Sequence, residues 1–96
     1  MIHVKLFESV GSFAENKDLA RDIRLKKLIP ALEKGEEIVL DFKKIDSVTQ
    51  SFIHALISDL MRKHGSIVLD KISFKNCNET VRKIINIVVD YMQESE

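Results

Sequence analysis

Hydroxyl, amide and imidazole groups crowd one short stretch, Asp46-Ser47-Val48-Thr49-Gln50-Ser51-Phe52-Ile53-His54. A serine here can cap a helix, take up a phosphate, or attack a substrate as an activated nucleophile. The last of these needs a nucleophile turn of the Gly-x-Ser-x-Gly kind, and the stretch has no glycine. Nor does the chain have a glycine-rich phosphate loop, since its 3 glycines stand far apart. His3, His54 and His64 lack metal-ligand spacing, and Cys77 has no cysteine or histidine near it. Asp41 and Asp46 are lone carboxylates with no paired acid/base partner. The expectation is therefore a protein with no catalytic residue, no metal and no cofactor.

Ser51 carries two readings. As an N-cap its Oγ accepts from a free N–H of the first helical turn, worth about 1 kcal/mol. Alternatively Ser47 is the cap, since Ser47 and Gln50 have capping-box spacing. Ser51 then sits inside the first turn and faces solvent. A phosphate on it would add about −1.5 to −2 charge beside a helix N-terminus, whose dipole tolerates an anion. The disruption would fall on a partner rather than on the fold.

The elements that must position this stretch follow from periodicity. Residues 2–7 alternate, with Ile2, Val4 and Leu6 on one face, and predict a half-buried strand. Residues 8–16 read as loop, turning at Gly11. Residues 17–34 are helical in pattern, with Leu19, Ala20 and Ile23 forming one apolar patch. Leu25, Leu28, Ile29 and Leu32 form another, slightly out of phase, and Pro30 predicts a break or kink just before it. Gly35 stops the helix. Residues 36–42, with Ile38-Val39-Leu40, predict a central strand covered on both faces. A helix runs from about 51 to 64, closed by Gly65. Residues 66–70 fit either a short helical turn or the start of a strand at Lys71 to Lys75. In the last helix Val81, Ile84, Ile85, Val88 and Met92 form the core stripe. Asn76 with Glu79 has capping-box spacing, and Asn78 is the rival cap. Ile87, Val89 and Tyr91 widen the apolar arc and could form a partner or dimer surface.

The chain has 96 residues, enough for one domain over residues 1–96. Its 15 Lys and Arg balance its 15 Asp and Glu, which argues against a nucleic-acid partner. No apolar run is long enough for a membrane span, and no signal-peptide pattern opens the sequence. One cysteine excludes an internal disulfide and suits a reducing cytoplasm.

A strand ending Leu40-Asp41-Phe42, a short polar link and a helix opening on Ser51 resemble the STAS domain of sulphate transporters and anti-sigma factor antagonists. The Ser51-Phe52 pair is similar to the helix start of a STAS-like family of unknown function. Arg24 with Leu28-x-Pro30-x-Leu32 looks like a second segment of that family, and residues 74–81 look like its last strand and helix start. In the antagonists this helix-start serine is phosphorylated by a partner kinase. Here Thr49-Gln50 replaces Asp-Ser and Phe52 replaces glycine. The resemblance implies an α/β STAS-like sandwich, a small sheet of mixed direction with helices mainly on one face. It implies a non-catalytic bacterial signalling module whose partner, a kinase-like regulator, docks at Asp46, Thr49, Gln50, Ser51 and His54. Arg24 and Asp41 are expected to be structural polar groups, with an ion pair between them one option. A dimerising structural subunit is the alternative. Another is a small-molecule sensor with an apolar cavity lined by Phe13, Phe42 and Phe52.

Overall fold

Apolar side chains of the longer helices close over one face of a small sheet whose middle strand is the Ile38-Val39-Leu40 run. The structure, a computed structural model, describes residues 1–94. In chain order its elements are β1 (Ile2–Lys5), α1 (Phe7–Val10), β2 (Phe13–Ala14), α2 (Lys17–Ile23), a π-helical turn (Arg24–Leu28) and α3 (Ile29–Glu33). Then come β3 (Ile38–Asp41), β4 (Ser47–Val48), α4 (Gln50–His64), α5 (Ile67–Lys71), β5 (Ile72–Lys75) and α6 (Glu79–Glu94). The main sheet has the order β1-β3-β5, and β2 pairs with β4 in a separate ribbon.

All these pairings are parallel, where a sheet of mixed direction was expected. Helices carry the chain from β1 to β3 and from β3 to β5, so each strand re-enters from the same end. A parallel pair needs such a crossover, and an antiparallel one needs only a tight hairpin. The register stacks Ile2, Ile38 and Ile72 in one row and Val4, Leu40 and Phe74 in the next. This face joins the helices in a single core with Ala20, Ile23, Phe52, Ile53, Leu56, Ile57, Val81, Ile85 and Val88. The opposite face exposes His3, Lys5, Ser73 and Lys75. Val39 is buried there, in register between His3 and Ser73.

The helix expected over 17–34, with a kink or break just before Pro30, is interrupted there by the π-helical turn, although helical residues continue through it. The Ile29 N–H bonds to the Arg24 carbonyl five residues back. Proline lacks an N–H and crowds the carbonyl four residues before it, and a widened turn absorbs both problems. The extra residue also explains the two out-of-phase patches. Ala20 and Ile23 before the turn, and Leu28 and Ala31 around and after it, all reach the core, while Leu25 is left 47% exposed. Residues 8–16 are not all loop, since they contain most of α1 and the strand β2. Residues 67–71 take the helical option, and β5 starts one residue later than expected.

Asp41 ties the ends of two strands. Its Oδ1 accepts from the Lys43 N–H at 2.9 Å and from Asn76 Nδ2 at 2.8 Å. Arg24 lies elsewhere and pairs with Asp59, not with Asp41. The hydrogen bond from Asn76, then that from Lys43, hold the Asp41 carboxyl below its ordinary value of 3.8. A depressed folded value gives stability that is full above the unfolded pKa and is lost as pH falls through the folded one. Denaturant melts of wild type and Asp41→Asn should therefore differ most near neutral pH. The gap should close as pH drops below about 3.8. A gap that stays constant as pH is taken well below that value would show that the carboxylate charge contributes nothing.

Candidate functional site

The polar stretch is held in place before it becomes helix. β4 pairs Ser47 and Val48 with Phe13 and Ala14. The Thr49 N–H donates to the Ala14 carbonyl at 3.0 Å, and the Asp46 N–H to the Ser12 carbonyl at 2.8 Å. The cap of α4 is then neither Ser51 nor Ser47. Thr49 has extended backbone angles and its Oγ1 accepts from the Phe52 N–H at 3.1 Å. Ser47 is committed to β4. Ser51 is left as the second residue of the helix, exposed.

Asn78 fixes α6 to the same stretch. Its Oδ1 accepts from the Val81 N–H at 2.8 Å, which makes it the cap of α6 in place of Asn76. Its Nδ2 donates to the Asp46 carbonyl at 2.9 Å. One amide thus joins the start of α6 to the lead-in of α4. Asn76 instead takes a left-handed conformation, φ 60°, and bonds Asp41.

Between α4 and α6 lies a cleft of about 460 Å³. Gln50, Ser51, His54 and Ala55 line one wall, Ile87, Val88 and Tyr91 the other, and Lys17 from α2 closes an end. Ser51 and His54 are three residues apart and so share a helix face. Ile87 is 48% exposed and Tyr91 60%. The two surfaces read separately from the sequence, the polar hinge and the apolar arc of the last helix, are therefore walls of one cleft. Not every expected residue lies in it. Thr49 is the cap, and Asp46 meets Asn78 through its carbonyl. Val89 is half-buried and packs on the core. Phe42 and Phe52 are fully buried, while Phe13 is 49% exposed on β2, so the three do not enclose one cavity.

Arg24 braces the cleft from behind. Its Nη1 donates to the Ala55 carbonyl at 2.7 Å and lies 3.2 Å from Asp59 Oδ2. The π-helical turn begins at Arg24, so the segment that accommodates Pro30 also anchors α2 to α4. Periodicity gave no signal for Lys17, Asn78 or Asp59. Lys17 opens a helix and Asp59 sits mid-helix, where charged residues are common, and the cap of α6 had two candidates.

Among the described residues no group of three metal-ligating side chains is gathered, and no helix is long and apolar enough to cross a membrane. The Cys77 thiol is pushed up by burial, so it stays protonated at neutral pH. The family described as a STAS-like domain of unknown function (DUF4325) matches residues 20–82, from within α2 to the first turn of α6. No curated protein and no solved structure gives a match.

Thr49→Ala should cost about 0.5–2 kcal/mol in denaturant unfolding, because it orphans an N–H of the first turn. Ser51→Ala should change stability by less than about 0.5 kcal/mol, as for an exposed position outside a cap. The reverse order of losses would return the capping role to Ser51.

Proposed function

Because the chain belongs to the family of STAS-like domains of unknown function, we propose that it is a non-catalytic interaction module whose protein partner docks in the α4–α6 cleft. The observation that supports this most is the placement of exposed Ser51 in one cleft with exposed Ile87 and Tyr91. The lining has two chemistries. Ile87, Val88 and Tyr91 offer apolar surface. Lys17 and the N-terminal turn of α4 make the polar side electropositive, and no carboxylate is among the lining residues. The fitting partner presents an apolar side chain flanked by acidic ones. A kinase-like regulator, of the type that acts on anti-sigma factor antagonists in the bacterial cytoplasm, is the proposed source of that surface.

Phosphorylation of Ser51 would act as the switch. The helix start tolerates the phosphate, but an acidic partner would then meet negative charge where it had met positive. With a photo-reactive residue at position 50, the chain should crosslink to one protein in cells of its host. Ser51→Asp should remove that product while shifting stability by no more than about 1 kcal/mol. A product that persists with Ser51→Asp rules out the switch, and the same product from position 3 on the sheet's polar face rules out the cleft.

A second reading is favoured by the charge pattern of α6. Lys83, Asp90 and Glu94 lie at i, i+7 and i+11, along one flank of the face that carries Ile87 and Tyr91. Two copies packed antiparallel about Ile87 would set Lys83 of each beside Asp90 and Glu94 of the other, as a two-fold contact requires. Sedimentation should then show a dimer that Ile87→Glu dissociates. Lys83→Glu should weaken it, and Lys83→Glu with Asp90→Lys should restore it. A wild type that stays monomeric at high concentration excludes this arrangement and leaves the cleft to a different protein.

A further inference from the structure

A second cleft, also of about 460 Å³, opens where the strands of the main sheet end. It shares no lining residue with the α4–α6 cleft. Lys5 is the last residue of β1 and Asp41 the last of β3, and both line it. Lys43, Lys44, Phe7 and Asn76 complete most of the wall, with Glu8 beside them.

Backbone strain is concentrated here. Among the described residues, Lys44 at φ 72° and Asn76 at φ 60° are the non-glycine residues with positive φ, and both line this cleft. Asparagine enters that region readily, but lysine has no local hydrogen bond to favour it. A glycine or asparagine would hold the same turn with less strain, so the turn alone does not account for a lysine at position 44. Strain of this kind gathers at ligand sites. The Lys44 ammonium stands 5.6 Å from the centroid of the Phe7 ring, which holds the charge beside the cleft.

The cations here form no close ion pair, although the Asp41 carboxylate feels the charges of Lys43 and Lys5. Lys5, Lys43 and Lys44 enter no salt bridge among the described residues. Asp41 takes both of its hydrogen bonds on Oδ1, which leaves Oδ2 as an acceptor. The cations are all lysines. Arginine is the residue of planar, bidentate carboxylate recognition, whereas ammonium groups act as point charges on a tetrahedral phosphate. A bare phosphate would be repelled by Asp41 and Glu8. A ligand that also brings hydroxyl donors would satisfy the carboxylate instead. The volume suits a small molecule, and the chain's zero net charge speaks against a long polyanion.

We propose that this cleft binds a small phosphorylated sugar or polyol, with the phosphate among Lys5, Lys43 and Lys44 and a hydroxyl donated to Asp41. The binding is independent of any protein docked between α4 and α6.

Titration of the full chain with ribose 5-phosphate and with glycerol 3-phosphate, followed by amide NMR shifts, tests it. At least one should give saturable shifts centred on residues 5, 41, 43, 44 and 76. Ribose should give none, and inorganic phosphate should bind at least about tenfold more weakly, a loss of about 1.4 kcal/mol. Lys44→Gly should relieve the strained φ and leave Tm unchanged or higher, yet weaken binding at least about fivefold, close to 1 kcal/mol. Lys43→Gln should weaken it without altering Tm. The proposal is overturned if neither sugar phosphate saturates at millimolar concentration. It is equally overturned if the shifts spread to Lys26 and Lys27, or if both variants bind like wild type. Equal affinity for inorganic phosphate overturns the hydroxyl contact with Asp41.

Discussion

Strand β3 hydrogen-bonds along both of its edges, to β1 and to β5, and each partner runs parallel to it. A parallel neighbour cannot be reached by a short turn, so a helix must intervene on either side of β3 in the sequence. Those helices land on the face where Ile38 and Leu40 are fully buried. With few residues available, a chain of this size concentrates its burial on that single interface. α4 shows the result, since Phe52, Ile53, Leu56, Ile57, Ser58, Leu60 and Met61 are all buried along its length. What α4 leaves to solvent is its last turn, Arg62 to His64, its first turn and the half-buried strip bearing His54, and the latter two line a cleft.

Two side chains then set the angle between the cleft's walls. Thr49 closes the start of α4, and Asn78 closes the start of α6 while gripping the Asp46 carbonyl. Each cap is local to a helix end, but together they connect helices that are distant in the sequence. The ribbon of β2 and β4 supports the same point from below, and Arg24 supports it from behind through Ala55. A surface assembled this way is rigid on the α4 side. The α6 wall differs in presenting exposed side chains, Ile87 and Tyr91.

Periodic elements were legible in the sequence because their signal is repeated. Val81, Ile85, Val88 and Met92 announce α6 several times over, and Ile38-Val39-Leu40 announces β3. Events that rest on one bond were not legible. The ribbon of β2 and β4 has two residues in each strand, too few for any alternation to register. Thr49, Ser47 and Ser51 are all acceptable caps. The choice falls to the ribbon, which takes up Ser47 and bonds the Thr49 N–H to the Ala14 carbonyl so that the helix starts just after Thr49. The partner of Arg24 lies far along the chain, and no local pattern selects Asp59 over Asp41. Parallel direction, by contrast, was implied by the order strand, helix, strand, helix, strand, which calls for crossovers, and the expectation of a mixed sheet passed over it. Membership in the STAS-like family was legible as a resemblance in the segments around Arg24, Pro30 and Ser51, all of which lie within the matched residues 20–82.

The π-helical turn behaves as one residue spliced into an otherwise ordinary helix. Either side of Arg24–Leu28 keeps α-helical geometry, and the insertion rotates the downstream residues by about 100° relative to an uninterrupted helix. Leu25, the outward-facing apolar residue of that turn, is the natural position for the extra unit. A change of one residue in length should therefore be absorbed more readily at this place than within the regular turns of α2 or α3. In a chain without the extra unit, Pro30 would crowd the carbonyl four residues before it, the clash that the widened turn absorbs.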